Sequence, residues 1–123
     1  MESEGRGFSR QCRLLDGDDF RAVFSANIRV SDQYWTILVG RAESPHPGAR
    51  LGLAISKKNA RRAVDRNTLK RLVRESFRIH RSALGSVDIV VMAKRDTAKA
   101  DKAELHSSLR RLWSKVISRC ARS

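Results

Sequence analysis

The sequence predicts an α/β fold of the sandwich type (an α+β sandwich), in which a small central β-sheet packs against helices. Its 123 residues suit one domain, and neither a long linker nor an internal repeat divides them. Of these residues 41% are hydrophobic, which is enough for one modest core. Segments whose residues have the composition and alternation of strands are interspersed with segments whose apolar residues recur at helical spacing. Their order is α-β-β-α-β-α. We therefore expect a single domain over residues 1–123, with flexible ends at 1–11 and 119–123.

The first helix is predicted in the segment DGDDFRAVF. Asp16 or Asp18 can cap its start. Phe20, Val23 and Phe24 follow with the i, i+3, i+4 spacing of one helix face. Aromatic residues at this spacing belong to the core more often than they form a platform for nucleic-acid bases, and at this point both interpretations stay open.

Two strands follow the first helix. The first strand is YWTILVG (34–40), and a loop with two prolines and a glycine ends it. The second strand, LGLAISKK (51–58), alternates large and small side chains, which therefore point to opposite faces of the sheet. The small side chains either let a helix pack closely or leave a shallow trough in which a ligand can lie. The large set is Leu51, Leu53 and Ile55, and the small set is Gly52, Ala54 and Ser56.

A long helix is predicted from about residue 60 to about residue 82, because apolar residues recur there at helical spacing and no Pro or Gly interrupts them. Asn59 is its predicted N-cap. Its predicted buried stripe consists of Leu69, Leu72, Val73, Phe77 and His80.

The third strand, VDIVVMAK (87–94), is predicted to lie parallel to the second, because a helix joins the two in a βαβ unit. Asp101 and Glu104 resemble a capping box that opens the last helix. The apolar face of that helix comprises Leu105, Leu109, Leu112, Trp113, Val116 and Ile117.

The charge balance indicates a polyanionic partner. The chain holds 26 Lys and Arg against 13 Asp and Glu, a net charge of +13, and a field of this strength attracts nucleic acid. It contains no run of 18 apolar residues and no apolar stretch of the signal-peptide type near its start. We therefore expect a cytoplasmic nucleic-acid-binding protein rather than a membrane protein.

The sequence does not predict a metal site or a catalytic constellation in this chain. Cys12 and Cys120 lie far apart, and His46, His80 and His106 are scattered, without the spacing of metal ligands. Neither a Gly-rich phosphate loop nor a known nucleophile or metalloprotease motif occurs. The acidic residues are dispersed along the chain, so no carboxylate pair for Mg²⁺ is predicted.

The long helix carries a ridge of cations at four-residue intervals: Arg62, Arg66, Lys70, Arg74 and Arg78. A solvated face normally mixes charges of both signs, whereas like charges one turn apart repel. Arg also suits bidentate contact with phosphate. The alternative is a helix that merely exposes a charged face to solvent, and the segregation of sign favours a surface that binds a polyanion.

The segment SKKNARRAVDRNTLKRLVRESFR (56–78) resembles the signature region of the protein subunit of bacterial ribonuclease P. That family carries a strand ending in Ser-Lys-Lys and a helix with Ala-x-x-Arg-Asn-x-x-Lys-Arg-x-x-Arg. DDFRAVF, LGLAISKK, DIVVMAKR and LRRLW resemble further family elements in the same order, over about residues 12–118. The chain departs from the family at Thr68, where the motif often has Arg. The matching helix residues are Ala63, Arg66, Asn67, Lys70, Arg71 and Arg74.

The resemblance implies an α/β sandwich with a left-handed βαβ crossover, although sequence alone predicts a right-handed one. It also implies a partner, the catalytic RNA of ribonuclease P. That RNA uses Mg²⁺ to cut the 5′ leader from precursor tRNA, so no catalytic residue, no protein metal site and no obligate protein partner are expected in this chain.

Two binding surfaces follow from the resemblance. The catalytic RNA is expected at Lys57, Lys58, Arg61, Arg62, Arg66, Asn67, Lys70, Arg71 and Arg74. The single-stranded leader is expected at Phe20, Phe24, Trp35, Ala54, Ser56, Lys94 and Arg95. Two rival functions remain: a structural RNA-binding protein of the ribosomal or ribosome-assembly type, and a protein-only endonuclease, which the scattered acidic residues disfavour.

Overall fold

The structure is a computed structural model that describes residues 23, 28–41, 48–95 and 97–122. Within these residues it contains four strands, two helices and one short 3-10 helix. They are β1 (Ile28–Ser31), β2 (Trp35–Arg41), β3 (Arg50–Ala54), α1 (Ala63–Leu84), β4 (Val87–Ala93), the 3-10 helix (Thr97–Lys99) and α2 (Lys102–Arg122).

The strands form one mixed sheet in the order β1-β2-β4-β3. β2 pairs antiparallel with both β1 and β4, and β3 pairs parallel with β4. The predicted α/β fold is confirmed, as is the βαβ unit in which α1 joins two neighbouring parallel strands. The left-handed sense of that crossover stays a prediction.

β1 was not predicted from the sequence. Its four residues are half-buried, exposed, buried and exposed in turn. A strand this short has too few repeats for its pattern to be recognised in the sequence. The predicted first helix lies outside the described residues except for Val23, which is helical and buried. Residues 119–122, expected in a flexible tail, belong to α2, and Arg119 donates a hydrogen bond to the Arg29 carbonyl.

Both helices pack on one face of the sheet and enclose the main core between them. The predicted apolar stripes are confirmed except at His80 and Ile117, which are half-buried. Phe77 of α1 meets Trp113 of α2 edge to face, with ring centroids 6.0 Å apart. The Trp113 indole N–H donates to the Ser76 hydroxyl at 2.8 Å, so this buried polar pair is satisfied. Because the apolar stripe of α1 is buried in this core, the opposite face of α1 is exposed to solvent.

The start of α1 differs from the prediction. Asn59 does not cap it: the helix begins at Ala63 after Arg62, whose side chain makes no capping hydrogen bond. The Asn59 side-chain amide instead donates to the Ala93 carbonyl at 2.9 Å, while its backbone N–H bonds to Ser56. Asn59 therefore ties the connection between β3 and α1 to the end of β4.

Asp32, in the turn between β1 and β2, joins the sheet to α2. Its carboxylate accepts hydrogen bonds from the backbone N–H groups of Tyr34 and Trp35 at 2.9 and 3.0 Å. The hydroxyl of Ser108, which is buried in α2, donates to the other carboxylate oxygen. Burial alone would raise the pKa of Asp32, but these hydrogen bonds and nearby Arg111 outweigh it and hold the pKa below 3.8.

We predict that Ser108→Ala destabilises the protein by about 1 kcal/mol at neutral pH, because it removes a donor from a partly buried carboxylate. Since the folded-state pKa of Asp32 lies below its unfolded value, the stability from this carboxylate is present above pH 3.8 and is lost as the pH falls through the folded-state value. Urea unfolding at several pH values measures both effects. Ser114→Ala, at an exposed position of the same helix, is the control, and equal losses for the two variants would contradict the role given to Ser108.

Candidate nucleic-acid interface

The exposed side of α1 carries the predicted basic ridge. The buried positions of the helix face α2 and the sheet, so the cations between them face outward. Arg66 and Lys70 are half-buried, whereas the other cations of the ridge are exposed. Asp65 and Glu75 are the acidic residues within α1, too few to neutralise the ridge. We use the name α1 ridge for Arg62, Arg66, Lys70, Arg71, Arg74 and Arg78.

Arg66 has a structural role besides its charge. Its guanidinium donates to the carbonyl oxygens of Ala60 and Arg61, both at 3.0 Å. These bonds fold the segment before α1 back onto the first turn of the helix. Arg66 therefore holds in place the backbone from which the Arg61 and Arg62 side chains project.

Thr68, where the chain departs from the family motif, turns its hydroxyl toward its own helix. Its Oγ1 donates to the Val64 carbonyl at 2.9 Å, the i−4 pattern that Thr adopts in helices. Because this hydrogen bond uses the hydroxyl hydrogen, the Thr68 side chain has no donor left for a phosphate. Asn67, beside it, is exposed and has its amide on the surface.

A cleft of about 560 Å³ lies where α1 begins. It brings together residues from the segment after β3 and from the segment after β4. Five lining residues are cations, and one, Asp65, is an acid. Its lining residues are Lys58, Asn59, Ala60, Arg61, Arg62, Asp65, Arg95, Ala98 and Lys99.

The cleft joins residues that the sequence analysis assigned to different surfaces. Arg95, expected to bind the leader, lies in the same cleft as Arg61 and Arg62, expected to bind the catalytic RNA. Lys99, in the short 3-10 helix, was not predicted, because only the folded chain brings it beside α1. Lys57 is exposed, one residue before the lining residue Lys58.

The face of the sheet opposite the helices carries the small side chains that the alternation of β3 predicted. Ala54 pairs with Met92 of β4, and both pack around a small cluster of Val23, Leu38 and Val90. We call this surface the open face, since neither α1 nor α2 covers it. Val23, Leu38 and Val90 are nevertheless buried there, whereas Ala54 and Met92 are half-buried. Ser56 continues from Ala54 and is exposed. Phe20 and Phe24 lie outside the described residues.

The structure does not bring Trp35 to the open face. Trp35 pairs with Ala93, and both belong to the core on the opposite face, where Trp35 is 0% exposed. Side chains alternate along a strand, so Trp35 and Leu38 point in opposite directions. Lys94 is half-buried, and its ammonium donates to the Asp32 carbonyl, whereas Arg95 is exposed.

One ion pair lies at the edge of the sheet. The Arg50 guanidinium donates to both carboxylate oxygens of Asp88 at 2.8 Å, in a bidentate pair. Asp88 is 5% exposed and so needs this partner. The pair joins β3 to β4, and its two charges offset each other.

The described part of the chain offers neither a metal cluster nor a membrane span. Among residues 23, 28–41, 48–95 and 97–122, no three His, Cys, Asp or Glu side chains gather closely enough to hold an ion. Over the same residues, no helix combines the length and apolarity needed to cross a bilayer.

A small α/β protein whose cations are concentrated on the exposed side of α1 and in the cleft beside it belongs to the class of nucleic-acid-binding proteins. The chain belongs to the ribonuclease P family, because the family model described as Ribonuclease P matches residues 8–117.

Relatives and solved structures agree with this family. The chain is 46% identical over 116 residues to the ribonuclease P protein component of Thioalkalivibrio sulfidiphilus, covering 94% of this chain and 95% of that one. It is 44% identical over 123 residues to that of Methylococcus capsulatus, covering 100% and 94%. The fold is similar to that of the RNase P protein of Staphylococcus aureus, with a TM-score of 0.74 at 27% identity over 81% of this chain and 90% of that chain. For the Thermotoga maritima protein the TM-score is 0.72 at 27% identity, over 84% and 96%.

We predict that Arg66→Ala loosens the start of α1, because it leaves the Ala60 and Arg61 carbonyls without their guanidinium donor. Amide hydrogen exchange should speed up over residues 60–66, and the free energy of unfolding should fall by about 1 kcal/mol. Arg74→Ala removes the same charge from an exposed position of the same helix and is the control. Identical amide exchange rates over residues 60–66 in the two variants would show that Arg66 contributes only its charge.

Proposed function

We propose that this chain is the protein component of ribonuclease P and acts in the cytoplasm. It assists a catalytic RNA in the Mg²⁺-dependent endonucleolytic removal of the 5′ leader from precursor tRNA. Family membership supports the proposal, as do relatives named ribonuclease P protein component. The observation that carries the mechanism is the segregation of cations into the α1 ridge and the adjoining cleft.

The α1 ridge is the surface proposed for the catalytic RNA. Its exposed guanidinium groups suit phosphate oxygens, which accept bidentate hydrogen bonds. Contacts of this kind position a protein on an RNA backbone and make affinity depend steeply on salt. Asn67 adds an exposed amide at the middle of the ridge. Arg66 contributes indirectly as well, through the backbone carbonyls that orient Arg61 and Arg62.

The open face is the surface proposed for the single-stranded leader. Small side chains such as Ala54 let a strand of RNA approach the sheet closely. An apolar surface can contact bases without sequence specificity. Exposed Ser56 follows Ala54 and supplies a polar contact, and Arg95 is kept in this proposal on the family resemblance. Phe20 and Phe24 are kept in this proposal on the family resemblance. Trp35 supports the sheet from the core side and makes no contact with the leader, because it is buried.

The cleft at the start of α1 brings together residues proposed for both RNAs. It contains both Arg95, proposed for the leader, and the cations that precede α1, proposed for the catalytic RNA. Two RNA chains that meet there would repel each other, and cations between them reduce that repulsion. The protein would thereby strengthen precursor binding at Mg²⁺ concentrations too low for the RNA alone.

The catalytic step is assigned to the RNA. The carboxylates of the described residues do not gather, so those residues offer no cluster of three or more ligands for Mg²⁺. When bound, Mg²⁺ supplies the charge that activates water and stabilises the leaving oxygen. The protein contributes by binding and orienting the substrate, which lowers the entropic part of the barrier.

One assay tests this function. Precursor tRNA is incubated at low Mg²⁺ with the purified chain, with the cognate catalytic RNA, and with both. We predict cleavage of the leader in the mixture at a rate at least tenfold above that of the RNA alone, and none with the protein alone. Cleavage by the protein alone would identify a protein-only endonuclease, and an unstimulated mixture would favour a structural RNA-binding protein.

The role of the leader is tested in the same assay with a matched pair of substrates. The protein should strengthen binding of precursor tRNA to the assembled enzyme much more than binding of mature tRNA, which lacks the leader. Arg95→Ala should reduce this difference, since Arg95 is among the residues proposed to bind the leader. An equal effect of the protein on both substrates would reject the leader-binding surface.

A further inference from the structure

A second group of cations lies on α2, away from the α1 ridge. After Glu104 in its first turn, the helix contains five Lys or Arg residues and no acid. Three of the five recur at four-residue intervals: Arg111, Lys115 and Arg119. They are exposed and extend over about 12 Å of the helix axis.

Two of these cations, Lys115 and Arg119, border a cleft of about 360 Å³ between α2 and the edge strand β1. Lys115, Ser118 and Arg119 line it from the helix, and Arg29, Val30 and Ser31 line it from the strand. None of the six is acidic. The Arg119 guanidinium donates a hydrogen bond to the Arg29 carbonyl at 2.8 Å. This bond holds the guanidinium at the cleft.

Helix stabilisation does not explain this arrangement. Cations near the C-terminus of a helix interact favourably with its dipole, but the effect falls off within the last turn. Arg119 lies within reach of that effect, whereas Arg111 and Lys115 lie further from the end, which is at Arg122. Like charges at four-residue spacing also cost a few tenths of a kcal/mol per pair. Arg111 also lies near the Asp32 carboxylate, which explains its position in part. Lys115 lines the cleft with no acid among its lining residues, and a ligand that carries negative charge explains its position.

We propose that Arg111, Lys115, Ser118 and Arg119 form a second RNA-binding surface, which takes the phosphate backbone of the catalytic RNA at a segment separate from the one on α1. The proposal rests on the function proposed above. The lining combines cations with serine hydroxyls, and its one apolar residue, Val30, is 6% exposed. This chemistry suits phosphate oxygens and provides no platform for unpaired bases.

The position of the surface favours the catalytic RNA over the leader. α2 and α1 form one layer on the same face of the sheet, and the open face lies on the other side. α2 packs over β1 and β2, whereas α1 packs over β3 and β4, so the second surface and the cleft at the start of α1 lie at opposite edges of the sheet. A large folded RNA can span both edges of the helix layer, and the protein would then join two of its segments.

The test uses Lys115→Ala in the full chain, with binding to the catalytic RNA measured over a series of salt concentrations. Because one phosphate contact is lost, the affinity should fall about threefold to tenfold, and the slope of log affinity against log salt should become shallower by about 0.7 to 0.9. Ala is a good helix former, so the thermal midpoint should not fall.

Lys102→Ala is the matched control. It removes the same charge from the first turn of the same helix, about 20 Å along the axis from Lys115 and beyond the screening length at physiological salt. Equal slopes for the two variants would overturn the proposal, and so would a loss confined to precursor tRNA binding by the assembled enzyme. Failure of the proposed function would look different, because the unaltered chain would then not bind the catalytic RNA with a steep salt dependence at all.

Discussion

The structure depends on a single helix that carries both the core and the charge. α1 buries Leu69, Val73 and Phe77 on one side and exposes a row of cations on the other. Each large apolar side chain contributes about 1.5–3 kcal/mol when buried, whereas each pair of like charges one turn apart costs a few tenths. Burial therefore outweighs repulsion, and the helix holds a concentrated positive charge without a compensating acidic residue for each cation.

Much of the fold could be predicted from sequence because two periodicities dominate it. The apolar stripes of α1 and α2 repeat over several turns. The alternation of large and small residues located β3, although this strand ends at Ala54 and not at Lys58 as predicted. β1 escaped notice because four residues give too short a pattern. Asn59 was assigned as a helix cap on residue type alone, but a tertiary contact, the Ala93 carbonyl on a distant strand, competes for its side chain.

The site was predicted less completely because it depends on which segments meet. Sign segregation along one helix is visible in the sequence, and it identified the α1 ridge. The cleft that places Arg95 and Lys99 beside Arg61 requires the sheet order to be known. Trp35 was assigned by analogy to the leader surface, and the pairing of Trp35 with Ala93 places it on the other face. The cations of α2 did carry a sequence signal, the lack of any acid after Glu104, which follows the same logic as the α1 ridge.

The most direct test of this account replaces four exposed cations of the α1 ridge with Gln: Arg62, Arg71, Arg74 and Arg78. Thermal unfolding of the free protein and the salt dependence of catalytic-RNA binding are then measured together. The account predicts that the thermal midpoint stays the same or rises, because repulsion is relieved, while the slope of log affinity against log salt becomes shallower by about 3. A lower thermal midpoint with an unchanged slope would contradict it, since the cations would then serve the fold and not the RNA.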